Sequence, residues 1–172
     1  MARKTEKKAR PAKRRSAAKP KANAKKTVVP KLTPYICVRD AKAAIAFYRK
    51  AFGAIEKYRL SEPGGKIGHA EIAIGASVVM MSDEHPDFGA LSPTMLGGSP
   101  TSFHLKVENA DKAVKRALKA GATLVRPVAD QFYGERSGMV ADPFGYRWFL
   151  GADVENVSPK EMQKRYAKAM KA

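Results

Sequence analysis

Cysteine is almost absent from this chain, and long apolar runs are absent altogether. Cys37 is the single cysteine among 172 residues, so no intrachain disulfide can form, and a reducing, cytoplasmic location is expected. No apolar run approaches the roughly 20 residues that span a membrane, so no membrane association is expected. No apolar stretch follows the charged N-terminal residues, so no secretory signal is expected either.

Acidic and aromatic residues are scarce in the N-terminal segment. Residues 1–31 contain 13 Lys and Arg side chains and one acid, Glu6, so they carry +12 of the chain's net charge of +17. A segment of Lys, Arg, Ala and Pro cannot bury enough apolar surface to offset its ordering entropy, and we predict a disordered tail. Its charges would bind nucleic acid without sequence readout by releasing counterions, or would serve only as a solubilising extension. A transit peptide is a further alternative, but the segment lacks an amphipathic apolar face.

Two segments of the remaining chain repeat each other. VRDAKAAIAFYRKAFGA, at residues 38–54, aligns with VENADKAVKRALKAGA, at residues 107–122. Each predicts the end of a strand followed by an amphipathic helix. Asp40 and Asn109 suit the N-caps, and a glycine after each helix suits its left-handed final residue.

Three short strands are predicted after each helix, which makes the fold class α+β with two βαβββ repeats. In the first unit, at residues 32–85, the strands are IEKYRL, IGHAEIAI and SVVMMS. In the second unit, at residues 101–152, they are TLVRPV, SGMVA and YRWFL, with DPFG as the last turn. Residues 86–100, rich in Gly, Ser and Pro, are predicted to be a linker. The C-terminal segment, at residues 153–172, contains a helix that begins at the capping box SPKE.

The order of these motifs resembles the vicinal oxygen chelate superfamily, which includes glyoxalase I, extradiol dioxygenases, fosfomycin resistance enzymes and bleomycin resistance proteins. The matching stretches are PYICVRDAKAAIAFYRKAFGA, GHAEIAIG, VVMMSDE and DQFYGERSGMVADPFGYRWFL, and they are most similar to the PhnB-like branch. The resemblance implies that residues 32–152 form one domain in which two concave sheets share a cleft, and that the protein is a homodimer. It implies no particular reaction, because this fold hosts lyases, oxygenases, transferases and binding proteins.

The resemblance also implies where a metal ion would bind. Metal enzymes of the superfamily place four His, Glu or Gln ligands in the cleft, on the first and last strands of each unit. The corresponding places here hold Thr33, Met80, Ser102 and Phe149. Thr and Ser are weak ligands, Met prefers soft ions and Phe binds none. No metal or other cofactor is therefore expected, unless a divalent ion is held at a relocated site.

Strand alternation predicts which side chains line the cleft instead. The predicted ligand-binding residues are Tyr35, Cys37, His69, Glu71, Met80, Ser102, His104, Tyr133, Arg136 and Phe149. Together they supply aromatic walls and a few polar groups, as small-molecule pockets do. Structural alternatives stay open, because His69 and Glu71 could simply pair on an exposed strand and His104 could be a structural histidine.

Three functions are compatible with these residues. The first, which we predict, is a metal-free, PhnB-like or bleomycin-resistance-like protein that binds a small aromatic or anionic molecule. The second is a glyoxalase-like lyase or a dioxygenase with a metal relocated to His69, Glu71 and His104, since two histidines and one carboxylate are a known oxygenase set. The third is nonspecific nucleic-acid binding through the tail, because no recognition helix or stacking platform supports sequence-specific reading. No catalytic residue is assigned.

Overall fold

The computed structural model describes Met1 and residues 31–171. The chain divides into two units after Lys31, and the second is Leu32–Ala172. The predicted disordered tail lies outside the described residues, and the fold described below is that of the second unit.

Two βαβββ repeats follow one another along the chain, as predicted. In the first repeat the elements are β1 (Tyr35–Val38), α1 (Ala41–Phe52), β2 (Ile55–Ser61), β3 (Ile67–Ile74) and β4 (Ser77–Asp83). In the second repeat they are β5 (Ser102–Lys106), α2 (Ala110–Ala120), β6 (Thr123–Asp130), β7 (Glu135–Ala141) and β8 (Arg147–Asp153). The linker contains one short 3-10 helix at Pro86–Phe88, and α3 (Pro159–Ala169) follows the second repeat.

The helix ends form as the sequence predicts. Asp40 accepts a hydrogen bond from the Ala43 N–H at 2.8 Å, and Asn109 accepts one from the Lys112 N–H at 2.9 Å. Gly53 ends α1 with a φ of 70°, a backbone conformation that glycine adopts without a side-chain penalty. These local signals place each helix at the same position relative to its sheet.

Each repeat forms its own four-stranded sheet, and the two sheets have the same topology. The strand orders are β1-β4-β3-β2 and β5-β8-β7-β6. The first pair in each order is parallel, and the other two pairs are antiparallel. The fold class is therefore α+β with two βαβββ units, as predicted.

The helix-facing sides of both sheets meet in one core. Tyr48 and Phe52 of α1 reach across to Trp148 of β8, with ring centroids 5.5 and 4.6 Å apart. α1 also packs against α2, whereas the strand backbones of the two sheets stay apart among residues 32–171. The opposite, helix-free sides of the sheets therefore point away from this common core.

A buried carboxylate joins the two repeats at the DPFG turn. Asp142 accepts hydrogen bonds from the Tyr48 hydroxyl at 2.7 Å and from Trp148 Nε1 at 2.9 Å. It also accepts from the backbone N–H groups of Phe144 and Tyr146, each at 2.9 Å. Burial raises the pKa of Asp142 above its ordinary value, although these hydrogen bonds oppose the shift.

α3 begins at Ser158, whose hydroxyl accepts from the Glu161 N–H at 3.3 Å, and none of its residues is buried. Within the described part of the chain, no helix is both long enough and apolar enough to cross a membrane.

Candidate functional site

The helix-free side of each sheet carries a row of four side chains directly opposite one another on neighbouring strands. In the first sheet the row is Tyr35, Met80, Glu71 and Tyr58. In the second sheet the equivalent row is His104, Phe149, Met139 and Arg126. We call these helix-free sides the first face and the second face. Among residues 31–171 no helix covers either one, so their side chains are available to a ligand in this part of the chain.

The first face carries a hydrogen-bonded chain of polar side chains. The Tyr58 hydroxyl donates to Glu71 Oε1 at 3.0 Å and lies 3.1 Å from His69 Nε2. Because Tyr58 has only that one hydrogen to give, its oxygen accepts from His69 Nε2. His69 Nδ1 then accepts from the Tyr35 hydroxyl, 3.1 Å away. Both ring nitrogens of His69 are therefore engaged by tyrosines.

Tyr58 belongs to this group, although sequence reasoning did not select it. The hydrogen bond to Glu71 raises the pKa of Tyr58 above its ordinary value. The signal in the sequence is weak, because β2 has an irregular register between Glu56 and Tyr58, and a bulge disturbs simple alternation.

On the second face, a buried carboxylate is held by two basic side chains. Glu135 Oε2 lies 2.9 Å from His104 Nε2, and Glu135 Oε1 lies 2.6 Å from Lys106 Nζ. Burial alone would raise the pKa of Glu135, but the hydrogen bonds from Lys106 and His104 outweigh burial and lower the pKa. Gly151 lies beneath this pair, and a Cβ there would come within 2.5 Å of Glu135 Oε2. The absence of a side chain at residue 151 thus makes room for the ion pair.

The other end of the second face is occupied by Arg126. Its guanidinium lies over the Phe149 ring, 5.4 Å from the centroid, and Nη2 donates to Ser137 Oγ at 3.2 Å. The hydroxyl of Tyr133, which was predicted to line the site, lies 3.2 Å from the same Ser137 oxygen. Sequence reasoning missed Arg126, which also lies between two register irregularities of β6.

The predicted site residues lie in two groups and do not converge within the chain. Tyr35, His69, Glu71 and Met80 are on the first face, with Cys37 on the same side of β1 as Tyr35 by alternation. Ser102, His104, Tyr133 and Phe149 belong to the second face. Burial raises the pKa of the half-buried Cys37 thiol, which does not favour a nucleophilic role.

Arg136 does not lie with the other predicted site residues. The structure places its guanidinium in ion pairs with Asp111 of α2, at 2.7 Å, and with Asp130, at 3.0 Å. β7 begins at Glu135, so Arg136 points to the opposite side of the sheet from Glu135 and Ser137. It fastens α2 to the sheet and does not reach the second face.

A divalent metal such as Zn, Fe or Mn needs several His, Cys, Asp or Glu ligands around one point. Among residues 31–171, no group of three or more His, Cys, Asp and Glu side chains is placed to hold one ion. His69 and Glu71 are on the first face and His104 is on the second, so the relocated set is not assembled. In the parallel strand pairs, Tyr35 lies directly opposite Met80, and His104 lies directly opposite Phe149. Ser102 lies opposite Arg147, so it is not the direct neighbour of Phe149.

A cavity lies beside the second face and not on it. Its volume is about 700 Å³, and it lies between α1, the β3–β4 turn and the start of α2. His104 and Lys106 are its only links to the second face among the described residues. Aromatic and titratable side chains gather in hydrogen-bonded groups on the two faces, and these faces are therefore the candidate site.

Comparison with known proteins supports the fold. A model of the Glyoxalase/Bleomycin resistance protein/Dioxygenase superfamily matches residues 28–150. The uncharacterized protein Rv0887c of Mycobacterium tuberculosis is 45% identical over 139 residues, which cover 79% of this chain and 82% of that protein. The uncharacterized protein At5g48480 of Arabidopsis thaliana is 30% identical over 114 residues, which cover 62% of this chain and 68% of that protein.

Solved structures agree with these sequence relatives. The X-ray structure of the Arabidopsis thaliana At5g48480 gene product is similar with a TM-score of 0.59 at 29% identity, covering 72% of this chain and 99% of that one. The fosfomycin resistance protein FosX from Listeria monocytogenes has a TM-score of 0.56 at 16% identity, covering 79% and 99% of the two chains, and shows the fold alone. The chain belongs to the Glyoxalase/Bleomycin resistance protein/Dioxygenase superfamily.

Proposed function

We propose that this protein is a PhnB-like, metal-free binding protein for a small molecule. The observation that carries the proposal is the type of side chain found on the helix-free faces. The resemblance assigns the superfamily's metal-ligand positions to Thr33, Met80, Ser102 and Phe149, which suit no divalent metal, while aromatic and polar side chains line the strands. Such a lining is typical of small-molecule sites. The proposal includes a cytoplasmic location, which the single cysteine supports.

The proposed site forms between two copies of the chain, because residues 31–171 of one chain enclose neither face. On the first sheet Tyr35, Tyr58 and Leu60 are 54%, 45% and 60% exposed. Large exposed aromatic and apolar groups on one surface mark an interaction site. A homodimer in which the first face of one protomer lies over the second face of its partner would enclose both and form two equivalent clefts.

A metal-dependent lyase or dioxygenase is the less favoured candidate. A metal at His69 would have to displace a tyrosine hydroxyl from a ring nitrogen. The purified protein should therefore contain no stoichiometric divalent metal. Elemental analysis that found near one Zn, Ni, Fe or Mn per chain would overturn the metal-free proposal.

The binding proposal is tested by a thermal-shift screen of small aromatic and anionic compounds. Phe149→Glu should weaken the binding of aromatic and anionic ligands, because it replaces the apolar ring beneath Arg126 with a carboxylate that would pair with that guanidinium. His104→Ala should remove one directed hydrogen bond. A compound that stabilises the wild type and both variants equally would place the ligand elsewhere, and the assignment of the faces would fail.

A further inference from the structure

We infer that Arg126 anchors a carboxylate of the ligand, so that the site takes a monoanion with an aromatic or apolar body. This inference rests on the proposed function and adds the class of ligand. It depends on the Arg126 guanidinium, on the side chains around it, and on the lack of a carboxylate within 4 Å of it among the described residues.

Arg126 is the half-buried arginine that has no acidic partner. Of the four half-buried arginines among residues 31–171, Arg59 pairs with Glu56, Arg136 with two aspartates and Arg165 with two glutamates. Arg126 has no carboxylate within 4 Å among the described residues, and its buried Nε has no hydrogen-bond partner there. A charge partly removed from water without a counter-charge is unfavourable, so an anion that binds beside it relieves a standing penalty.

The surroundings of Arg126 supply donors and an apolar floor. The Phe149 ring lies 5.4 Å beneath the guanidinium carbon and holds the side chain over the sheet. Ser137 and Tyr133 add two hydroxyls next to the guanidinium. Met139, directly opposite Arg126 and Phe149, extends the apolar floor. A planar guanidinium with neighbouring hydroxyls suits a carboxylate, and the ring and thioether suit an aromatic body.

The Glu135 carboxylate lies on the same face, but its negative charge is already paired with basic side chains. Glu135 is on the same face of β7 as Ser137, but it is bound to both His104 and Lys106. Arg126 therefore supplies the one uncompensated positive charge of this half-buried group, which suits a ligand with a single negative charge.

A matched pair of ligands tests the inference. 2-Naphthoate and 2-naphthamide have the same ring system and a planar head group, and they differ in charge. By calorimetry at low ionic strength, the wild type should bind naphthoate about tenfold more tightly, or better, since hydrogen bonds to charged groups are the strong ones. Arg126→Gln should bring the two affinities to within about threefold of each other by weakening naphthoate alone. Arg126→Lys should retain only part of the preference because lysine cannot make the planar fork.

Arg147→Gln is the control, because Arg147 is an exposed arginine on the same side of the second sheet and has no ion pair within 4 Å among the described residues. This variant should keep the preference. Equal wild-type affinity for the two ligands, no binding of naphthoate, or an unchanged preference in Arg126→Gln would each overturn the inference. Equal affinities that still fall in Phe149→Glu would leave the proposed function standing and remove only the role of Arg126. Failure of every compound in the screen would remove both.

Discussion

Replacing Tyr48 with phenylalanine tests whether a buried carboxylate holds the two repeats together. The Tyr48 hydroxyl on α1 donates to Asp142 Oδ2 at 2.7 Å, 94 residues later in the chain. Tyr48 is fully buried and Asp142 is 5% exposed, so no water replaces the lost donor. A hydrogen bond to a charged group contributes about 1.5–3 kcal/mol. For a domain of this size, that corresponds to a fall in Tm of roughly 3–12 °C at pH 7.

The pH dependence of this deficit separates the carboxylate bond from simple loss of packing. The pKa of Asp142 is raised by burial, so its ionisation disfavours the folded state, and protonation at lower pH relieves that effect. The lost donor matters most while the carboxylate is ionised. The deficit of Tyr48→Phe should therefore shrink as the pH falls from 7 through the raised pKa.

Calorimetry of wild type, Tyr48→Phe and Tyr146→Phe measures the effect. Among residues 31–171 the Tyr146 hydroxyl bonds only to the backbone of Cys37, donating to its carbonyl at 3.0 Å and accepting from its N–H at 3.2 Å. Neither Cys37 backbone group titrates, so the deficit of this control should not follow the same pH course. A Tyr48→Phe deficit that is absent, or that stays constant with pH, would refute the role assigned to the carboxylate.

Two further predictions concern the ion pair of the second face and the basic tail. Gly151→Ala would place a Cβ 2.5 Å from Glu135 Oε2 and 3.1 Å from His104 Nε2, so NMR titration should show the lowered pKa of Glu135 moving upward; an unchanged titration would contradict this. Deleting residues 1–31 should leave the Tm nearly unchanged and remove most DNA or heparin binding, with the log–log salt dependence flattened by about 0.9 per lost phosphate contact. Deleting residues 159–172, which carry a net charge of +4, is the control and should have a smaller effect; an undiminished salt slope without the tail would place the contacts elsewhere in the chain.

The repeats were predictable because their signals are local. Asp40 and Asn109 at the helix starts, and Gly53 at a helix end, act within a few residues of their own positions. The strands of each unit lie within three residues of their predicted bounds. Strand alternation likewise placed His69 and Phe149 on the helix-free sides.

The arrangement of the site was less predictable, because it depends on distant contacts and on strand irregularities. Tyr48 of α1 reaching Asp142 and Trp148 turns the helix-facing sides of the sheets towards one core, and no local pattern announces that contact. Tyr58 and Arg126 lie beside register shifts in β2 and β6, where alternation no longer identifies the face. The side of the sheet on which Arg136 lies was not predicted, because β7 begins earlier than expected.

Because the two faces lie apart within one chain, the proposed cleft can form only in a dimer. Light scattering at micromolar concentration should give twice the 18.7 kDa mass of the chain, and a monomeric mass would contradict the proposed cleft. Complementation tests which faces meet. Tyr35→Ala damages the first face and Phe149→Glu damages the second, so each variant alone should bind poorly the best compound from the screen.

When the two variants are co-expressed, a mixed dimer carries one cleft with both faces intact and one with both faces damaged. Random pairing makes half of the dimers mixed, so about one quarter of the wild-type binding capacity should return. A cleft formed within a single chain would always contain one damaged face. Absence of any recovery in a preparation shown by mass spectrometry to contain mixed dimers would therefore refute the pairing of the first face with a partner's second face.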